Sequence, residues 1–249
     1  METEQTVTLP SWINYLCIEG VIGAGKTSLC TMLARQCNAR LVLEMAEENP
    51  FLDKFYRDRR SYAFQTQLWF LVSRFRQLSG AIAQQDLFYQ LTLSDYIFAK
   101  DRIFASVNLE DTELNLYDQV AAAMAGSVPA PDLVVYLQAS TDVLLRRIEH
   151  RGRTYEFNMD PRYIGMINDA YNQFFFHYTD TPLLIVNTNE IDFVNNPDDF
   201  SELIEQIRHA RNGTSFYQPM NAKDRLRLKD RSVFDPVADI PEDTTIEEP

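Results

Sequence analysis

"CIEGVIGAGKTSLC", residues 17–30, is the stretch whose reading decides the fold. An apolar run leads into it, glycines fill it, and a helix-compatible segment leaves it. Gly20-Val21-Ile22-Gly23-Ala24-Gly25-Lys26-Thr27 fits the pattern G-x-x-x-x-G-K-[ST]. Glycines let successive backbone N–H groups curl around phosphate oxygens, because no Cβ stands in the way. A helix that begins here points its positive dipole end at the same anion. Lys26 can reach the β- and γ-phosphates, and the Thr27 hydroxyl can ligate Mg²⁺. Ser28 completes the candidate nucleotide-binding set of Gly20, Gly23, Ala24, Gly25, Lys26, Thr27 and Ser28. A plain glycine-rich turn is the competing reading, and the strand before and helix after weigh against it. The loop does not say whether water, a protein or a small molecule receives the γ-phosphate.

Outward from the loop, short apolar runs alternate with helical patterns. Strands are expected at 15–20, 39–45, 88–95, 132–139 and 182–188. Helices are expected at about 26–37, from Pro50 onward, and at 61–85, 110–125, 141–150, 160–180 and 197–212. Gly126 is read as a helix stop. Such alternation predicts an α/β fold, with a five-stranded parallel sheet covered by helices on both faces. The strands are nearly continuous apolar runs, as strands buried on both faces should be. Residues 1–212 are read as one domain. The segment 213–249, mixed in charge and then acidic, is read as a tail, mobile or draped over the surface.

Composition bounds the partners. The chain has 249 residues, 45% of them hydrophobic, and a formal net charge of −13. So acidic a protein is a poor general binder of nucleic-acid polymers or anionic membranes, and any phosphate site must be a local basic cluster. Cys17, Cys30 and Cys37 match no metal spacing and read as reduced thiols in a cytoplasmic protein. The first residues are acidic and do not resemble a secretory signal, and no apolar run is long enough to span a bilayer.

Two further groups of charges stand out. Arg147, Arg151 and Arg153 form R-x-x-x-R-x-R at the end of the helix after the fourth strand. Cations favoured at a helix C-terminus explain them in one way. Beside a phosphate loop, a lid over about 147–156 that closes on the transferring phosphoryl group explains them better. Glu44 and Asp95 end the second and third expected strands, where ligands of open α/β sheets bind. Solvated strand-end carboxylates are the plainer reading. Asp95 resembles the aspartate that serves a magnesium site in phosphate-loop enzymes, which makes Thr27 and Asp95 the candidate metal ligands.

Five more stretches carry a resemblance: "EMAEENPFLDKFYRD", "SYAFQTQLWFLVSRFRQ", "SDYIFAKDRIFA", "RRIEHRGRTYE" and "NEIDFVNN". In this order they resemble the deoxyribonucleoside kinase family in its bacterial form, over about residues 13–210. The resemblance implies a P-loop kinase fold with an arginine lid, ATP as donor, Mg²⁺, and a small-molecule deoxynucleoside as acceptor. It implies that Glu44 is the general base for the 5′-hydroxyl. It implies that Tyr56 and Glu156 hold the sugar 3′-hydroxyl, that Gln67 reads the base edge, and that Arg74 and Asp101 lie over the base. Asp95 takes the acidic position of an Asp-Arg-Ser motif, Arg147, Arg151 and Arg153 form the lid, and Asp192 and Phe193 fall where the adenine of ATP is held. A homodimer is family habit.

The residues agree with parts of this on their own. Gln67 and Arg74 are seven apart, two helical turns, and share a face. Buried polar groups in an apolar helix need partners, which a base can supply. Trp69, Phe70 and Phe75 read as core rather than base-stacking. Two departures matter. Tyr96 stands where the family has arginine after the acidic residue, and Lys100, about a helical turn on, is expected to supply the missing charge. Glu44 is followed by Met45 rather than proline, which leaves Glu47 and Glu48 as rival carboxylates. The family resemblance further implies that the Arg74–Asp101 pair argues against thymidine, and the order of expectation is deoxyadenosine, deoxyguanosine, deoxycytidine. A thymidylate-kinase-like nucleoside monophosphate kinase and a non-catalytic nucleotide-binding relative remain as alternatives.

Overall fold

A computed structural model describes residues 7–81, 89–153, 156 and 159–219. Six parallel strands form one sheet: β1 (Tyr15–Gly20), β2 (Arg40–Val42), β3 (Thr92–Ser94), β4 (Leu133–Gln138), β5 (Leu183–Asn187) and β6 (Thr214–Tyr217), in the order β2-β3-β1-β4-β5-β6. The chain places β2 and β3 on one side of β1 and β4 to β6 on the other. The ends of the strands around β1 are therefore the place where a ligand is expected. Neighbouring residues of a strand face opposite sides of the sheet. All six residues of β1 and five of six in β4 are buried, so both faces are covered.

The sheet has six strands rather than the expected five. The sixth lies within the segment read as tail, and its register sets Leu183 to Val186 against Thr214 to Tyr217. It is an edge strand with only Tyr217 fully buried, so it shows no apolar run in sequence. The described residues up to Gln218 form one compact unit. Residues 220–249 lie outside the described residues.

The helices are α1 (Lys26–Cys37), α2 (Leu52–Arg57), α3 (Arg59–Ala81), α4 (Lys100–Asn108), α5 (Asp111–Ala125), α6 (Thr141–Arg151), α7 (Pro161–Phe176) and α8 (Pro197–His209). Local chemistry explains several ends. Glu110 and Glu113 close a capping box on α5. Asp160 and Asn196 cap α7 and α8, each followed by proline in the first turn. Gly152 ends α6 in the left-handed conformation, φ 65°. Gly126 does end α5, but with right-handed φ −64°.

Other boundaries shift. α4 was not expected as a helix. β2 stops at Val42, so Glu44 lies two residues past the strand rather than at its end. β3 covers only 92–94 of the expected 88–95, of which 88 lies outside the described residues. The long helix begins at Arg59, and its expected last residues, 82–85, also lie outside the described residues. α7 and α8 end at Phe176 and His209, short of the expected 180 and 212. The core between α7 and the sheet is aromatic: Tyr136 of β4 stacks on Phe175 at 4.3 Å between ring centroids.

Candidate active site

The loop between β1 and α1 takes the shape its glycines allow. Gly23 and Gly25 have φ of +86° and +97°, which side chains rarely adopt. A Cβ at Gly23 would stand 2.8 Å from the Leu144 carbonyl oxygen, and one at Gly25 would stand 2.9 Å from Phe193 Cζ. Lys26 donates to the Val21 carbonyl at 3.1 Å. Burial, and then the nearby Lys100 ammonium, lower the Lys26 pKa to about 8. Beneath the loop lies Glu19, a fully buried carboxylate in β1. It accepts from the Gly20 N–H at 3.0 Å and the Ile97 N–H at 2.8 Å. Burial raises its pKa, against the pull of Lys100 and Lys26.

From the loop a line of hydrogen bonds runs into the protein. Thr27 Oγ1 donates to Asp95 Oδ2 at 2.6 Å. Asp95 Oδ1 accepts the Glu44 backbone N–H at 2.8 Å. Arg74 donates from Nε to Glu44 Oε1 at 2.9 Å, and a second nitrogen bonds the same oxygen. A third nitrogen of Arg74 reaches Asp101 Oδ1. Lys100 Nζ donates to Glu44 Oε2 at 2.7 Å, and the Tyr117 hydroxyl to Asp101 Oδ2 at 3.0 Å. Burial pushes the Glu44 carboxyl upward, but Arg74 and Lys100 outweigh it and hold it well below the usual carboxylate range. Asp101, entirely buried, is pushed up to about 6 by desolvation against the pull of Arg74. Asp101 also raises the Tyr117 hydroxyl further than burial alone does.

This line flanks a cavity of about 390 Å³. Lys26, Thr27, Glu44 and Asp95 stand at its phosphate-loop end. Tyr56, Gln67, Arg74, Arg151, Arg153 and Glu156 also line it, with apolar walls from Leu52, Phe55, Phe70, Phe104 and Tyr163. Gln67 is 2% exposed, and among the described residues its Oε1 has no hydrogen-bond partner. Thr66 Oγ1 beside it is likewise buried and unpartnered. Such groups are costly unless a ligand completes them. Phe70 is partly exposed and packs against the Arg74 guanidinium, whose Cζ lies 4.8 Å from the ring centre, so it is cavity wall as well as core.

The expected lid residues divide. Arg151 forks onto Glu156, with Nε to Oε2 at 3.2 Å, and Arg153 pairs with Glu47 at 3.7 Å across the mouth. Arg147 does not line the cavity. It donates to Thr188 Oγ1 at 3.1 Å, to the Thr188 carbonyl at 2.6 Å and to the Ile191 carbonyl at 3.5 Å, and so clasps the loop after β5. Phe193 is 3% exposed and packs on Gly25. Asp192 caps its own turn, accepting from the N–H groups of Val194 and Asn195 and from the Asn195 amide. Asp101 sits behind Arg74 rather than on the cavity surface.

Tyr96, at the position of the family's arginine, is wholly buried and donates to Gln77 Oε1 at 2.6 Å. Lys100 lines the cavity instead. The rival carboxylates Glu47 and Glu48 lie in a single 3₁₀ turn at the mouth, while Glu44 carries the two cations. Sequence reasoning missed Glu19 and Tyr117. A glutamate inside the apolar run "YLCIEG" was the available signal for the first. Nothing local marks Tyr117 as the partner of Asp101.

A sequence model of the deoxynucleoside kinase family matches residues 16–211. The deoxyguanosine kinase of Bacillus subtilis (strain 168) is 33% identical over 198 residues, spanning 78% of this chain and 96% of that protein. The deoxyadenosine kinase of Lactobacillus acidophilus is 29% identical over 209 residues, spanning 78% and 95%. The structure of deoxyadenosine kinase from M. mycoides with bound dATP superposes with a TM-score of 0.68 at 25% identity, covering 78% of this chain and 98% of that one. The family sequence and the family fold therefore coincide on the segment that builds this cavity, and the chain belongs to the deoxynucleoside kinase family, phosphotransferases that move a phosphoryl group from a nucleotide donor to a deoxynucleoside.

Proposed function

We propose that this kinase transfers the γ-phosphoryl group of ATP, as its Mg²⁺ complex, to the 5′-hydroxyl of deoxyadenosine or deoxyguanosine. One observation carries the reading: Thr27, Asp95, Glu44 and Arg74 form a continuous line from the phosphate loop along the cavity wall, with Asp101 behind it holding Arg74. The donor lies with its phosphates on 20–27. Thr27 Oγ1 and Asp95 Oδ2 are hard oxygen donors side by side, which suits Mg²⁺, a cation that needs only one or two protein ligands beside phosphates. When bound there, Mg²⁺ neutralises charge on the phosphate oxygens. Among the described residues no cluster of three or more His, Cys, Asp or Glu side chains offers a different metal site.

Glu44 takes the proton of the 5′-hydroxyl as that oxygen bonds the γ-phosphorus. The bond from the γ-phosphorus to the β,γ-bridging oxygen breaks, and ADP leaves with the electron pair. Arg151 and Arg153 stabilise charge on the equatorial oxygens, and positioning supplies most of the rate. Tyr56 and Glu156 hold the 3′-hydroxyl. The unpartnered Gln67 amide oxygen requires an N–H donor, and an amide pairs well with the amino edge of a purine. Similarity to a deoxyguanosine kinase and a deoxyadenosine kinase supports the purine preference. By the same resemblance the working unit is a homodimer, which sedimentation of the full chain tests.

The test is phosphate transfer from Mg·ATP to each of the four deoxynucleosides, with the monophosphates in parallel. Fastest turnover is expected on deoxyadenosine or deoxyguanosine. Turnover on thymidine alone would overturn the base reading, and transfer only to a monophosphate would overturn the acceptor. Glu44→Gln should lower kcat by roughly 10²–10⁴-fold. A variant within a few-fold of wild type rejects Glu44 as the base.

A further inference from the structure

Lys100 is the first residue of α4, and only 3% of it is exposed. An ammonium carries three donors and no acceptor. Among the described residues, the Lys100 ammonium has a single hydrogen-bond acceptor, Glu44 Oε2 at 2.7 Å. The ring of Phe104 lies 5.9 Å away. Two donors of a buried cation are thus unused at the wall of the cavity. Lys26 lines the same cavity. Two ammonium groups that repel one another across a cavity form a place prepared for an anion.

The two cations on Glu44 differ in freedom. Arg74 holds Glu44 and Asp101 at once, so leaving Glu44 would also disturb a buried ion pair. Lys100 has one partner and a flexible four-carbon stem. Of the other buried carboxylates, Glu19 in β1 is felt by Lys100, Asp101 in α4 pairs with Arg74, and Asp95, just past β3, is bonded to Thr27 and to the Glu44 N–H.

We propose that Lys100 is a second phosphate-binding lysine, whose ammonium passes from Glu44 to the γ-phosphate of the donor when ATP binds. The step deepens the proposed role of Glu44 and rests on it for its catalytic meaning. Lys100 keeps its three protons throughout, and no covalent bond at it forms or breaks. The γ-phosphate satisfies its unused donors and separates it from Lys26. Glu44 keeps Arg74 for orientation and loses one of the two cations that compete with the incoming proton. Donor binding and base release are thereby linked through one side chain.

The linkage predicts that Lys100 senses the γ-phosphate and not the rest of the nucleotide. The experiment measures equilibrium binding of Mg·ATP and Mg·ADP to the full chain, without acceptor, for wild type, Lys100→Gln and Lys100→Met. Glutamine keeps a donor for Glu44 and removes the charge. The affinity ratio of ATP to ADP should fall about tenfold or more in both variants, with ADP affinity nearly unchanged. With acceptor present, kcat should fall while the deoxynucleoside KM stays within a few-fold. An unchanged ATP-to-ADP ratio overturns the proposal and leaves Lys100 as a fixed counter-ion of Glu44. If either single variant does not fold, Lys100→Met combined with Glu44→Gln removes both charges and reads the same ratio. A lost ratio in Lys100→Gln together with a fully active Glu44→Gln would keep the phosphate contact and reject the base.

Discussion

Arg74 shows how one side chain organises the site. Its guanidinium has five donors in a fixed fork and spends them on two carboxylates with opposite tendencies. Glu44 is also held by Lys100 and stays ionised, whereas Asp101 has, among the described residues, Arg74 and a tyrosine hydroxyl against complete burial. The sign of the resulting pH dependence follows from Glu44. Its folded-state pKa lies below the ordinary value of 4.5, so the stability it contributes is present above that value and is lost as pH falls toward the folded-state pKa. The stability difference between wild type and Glu44→Gln should therefore be flat from neutral pH down to about 5 and shrink below it. Urea unfolding of both proteins across that range checks this. A difference that instead grows on acidification would mean that Arg74 and Lys100 do not stabilise the charge.

At the scale of elements, the strand ends bring the chemistry together and the helices hold it there. β1 leads into the phosphate loop, α1 starts where that loop ends, and α3 and α4 face one another to pair Arg74 with Asp101. α6 has a split role. Its last turn delivers Arg151 to Glu156, while Arg147 one turn earlier is tied to the loop after β5. That loop also carries Phe193, which packs on Gly25. We propose that Arg147 acts on donor binding through that loop. Arg147→Met should raise the KM for Mg·ATP by about tenfold, the loss of one charge-assisted contact, and change kcat less. Steady-state kinetics with varied donor separates the two. A large loss of kcat at unchanged KM would return Arg147 to the transferring phosphoryl group.

For the whole molecule, the sheet is the frame, and its edge is part of it. β6 covers β5 with four register pairs and buries Tyr217. A chain ending after residue 219 should keep the thermal midpoint of the full protein, and one ending after residue 212 should lose roughly 5 °C or more, since each kcal/mol is worth about 2–4 °C in a domain of this size. Calorimetry on the two truncations decides between them. Equal midpoints would make β6 dispensable. Among the described residues no helix is long and apolar enough to cross a membrane.

The phosphate loop was legible in sequence because a short contiguous segment sets its own backbone: glycines permit the conformation and the flanking strand and helix orient it. The shared face of Gln67 and Arg74 was legible because helical period alone places residues seven apart together. Continuous apolar runs likewise announced a parallel sheet buried on both sides. The half-exposed edge strand β6, with no such run, did not show itself. Pairings between distant residues needed the tertiary structure. Lys100 meets Glu44 across 56 positions and Glu19 meets Ile97 across 78. Arg147 leaves the expected lid for a loop 41 residues away. Local propensity carries no information about such pairs, because they form only where packing removes water and leaves each charge to find its partner.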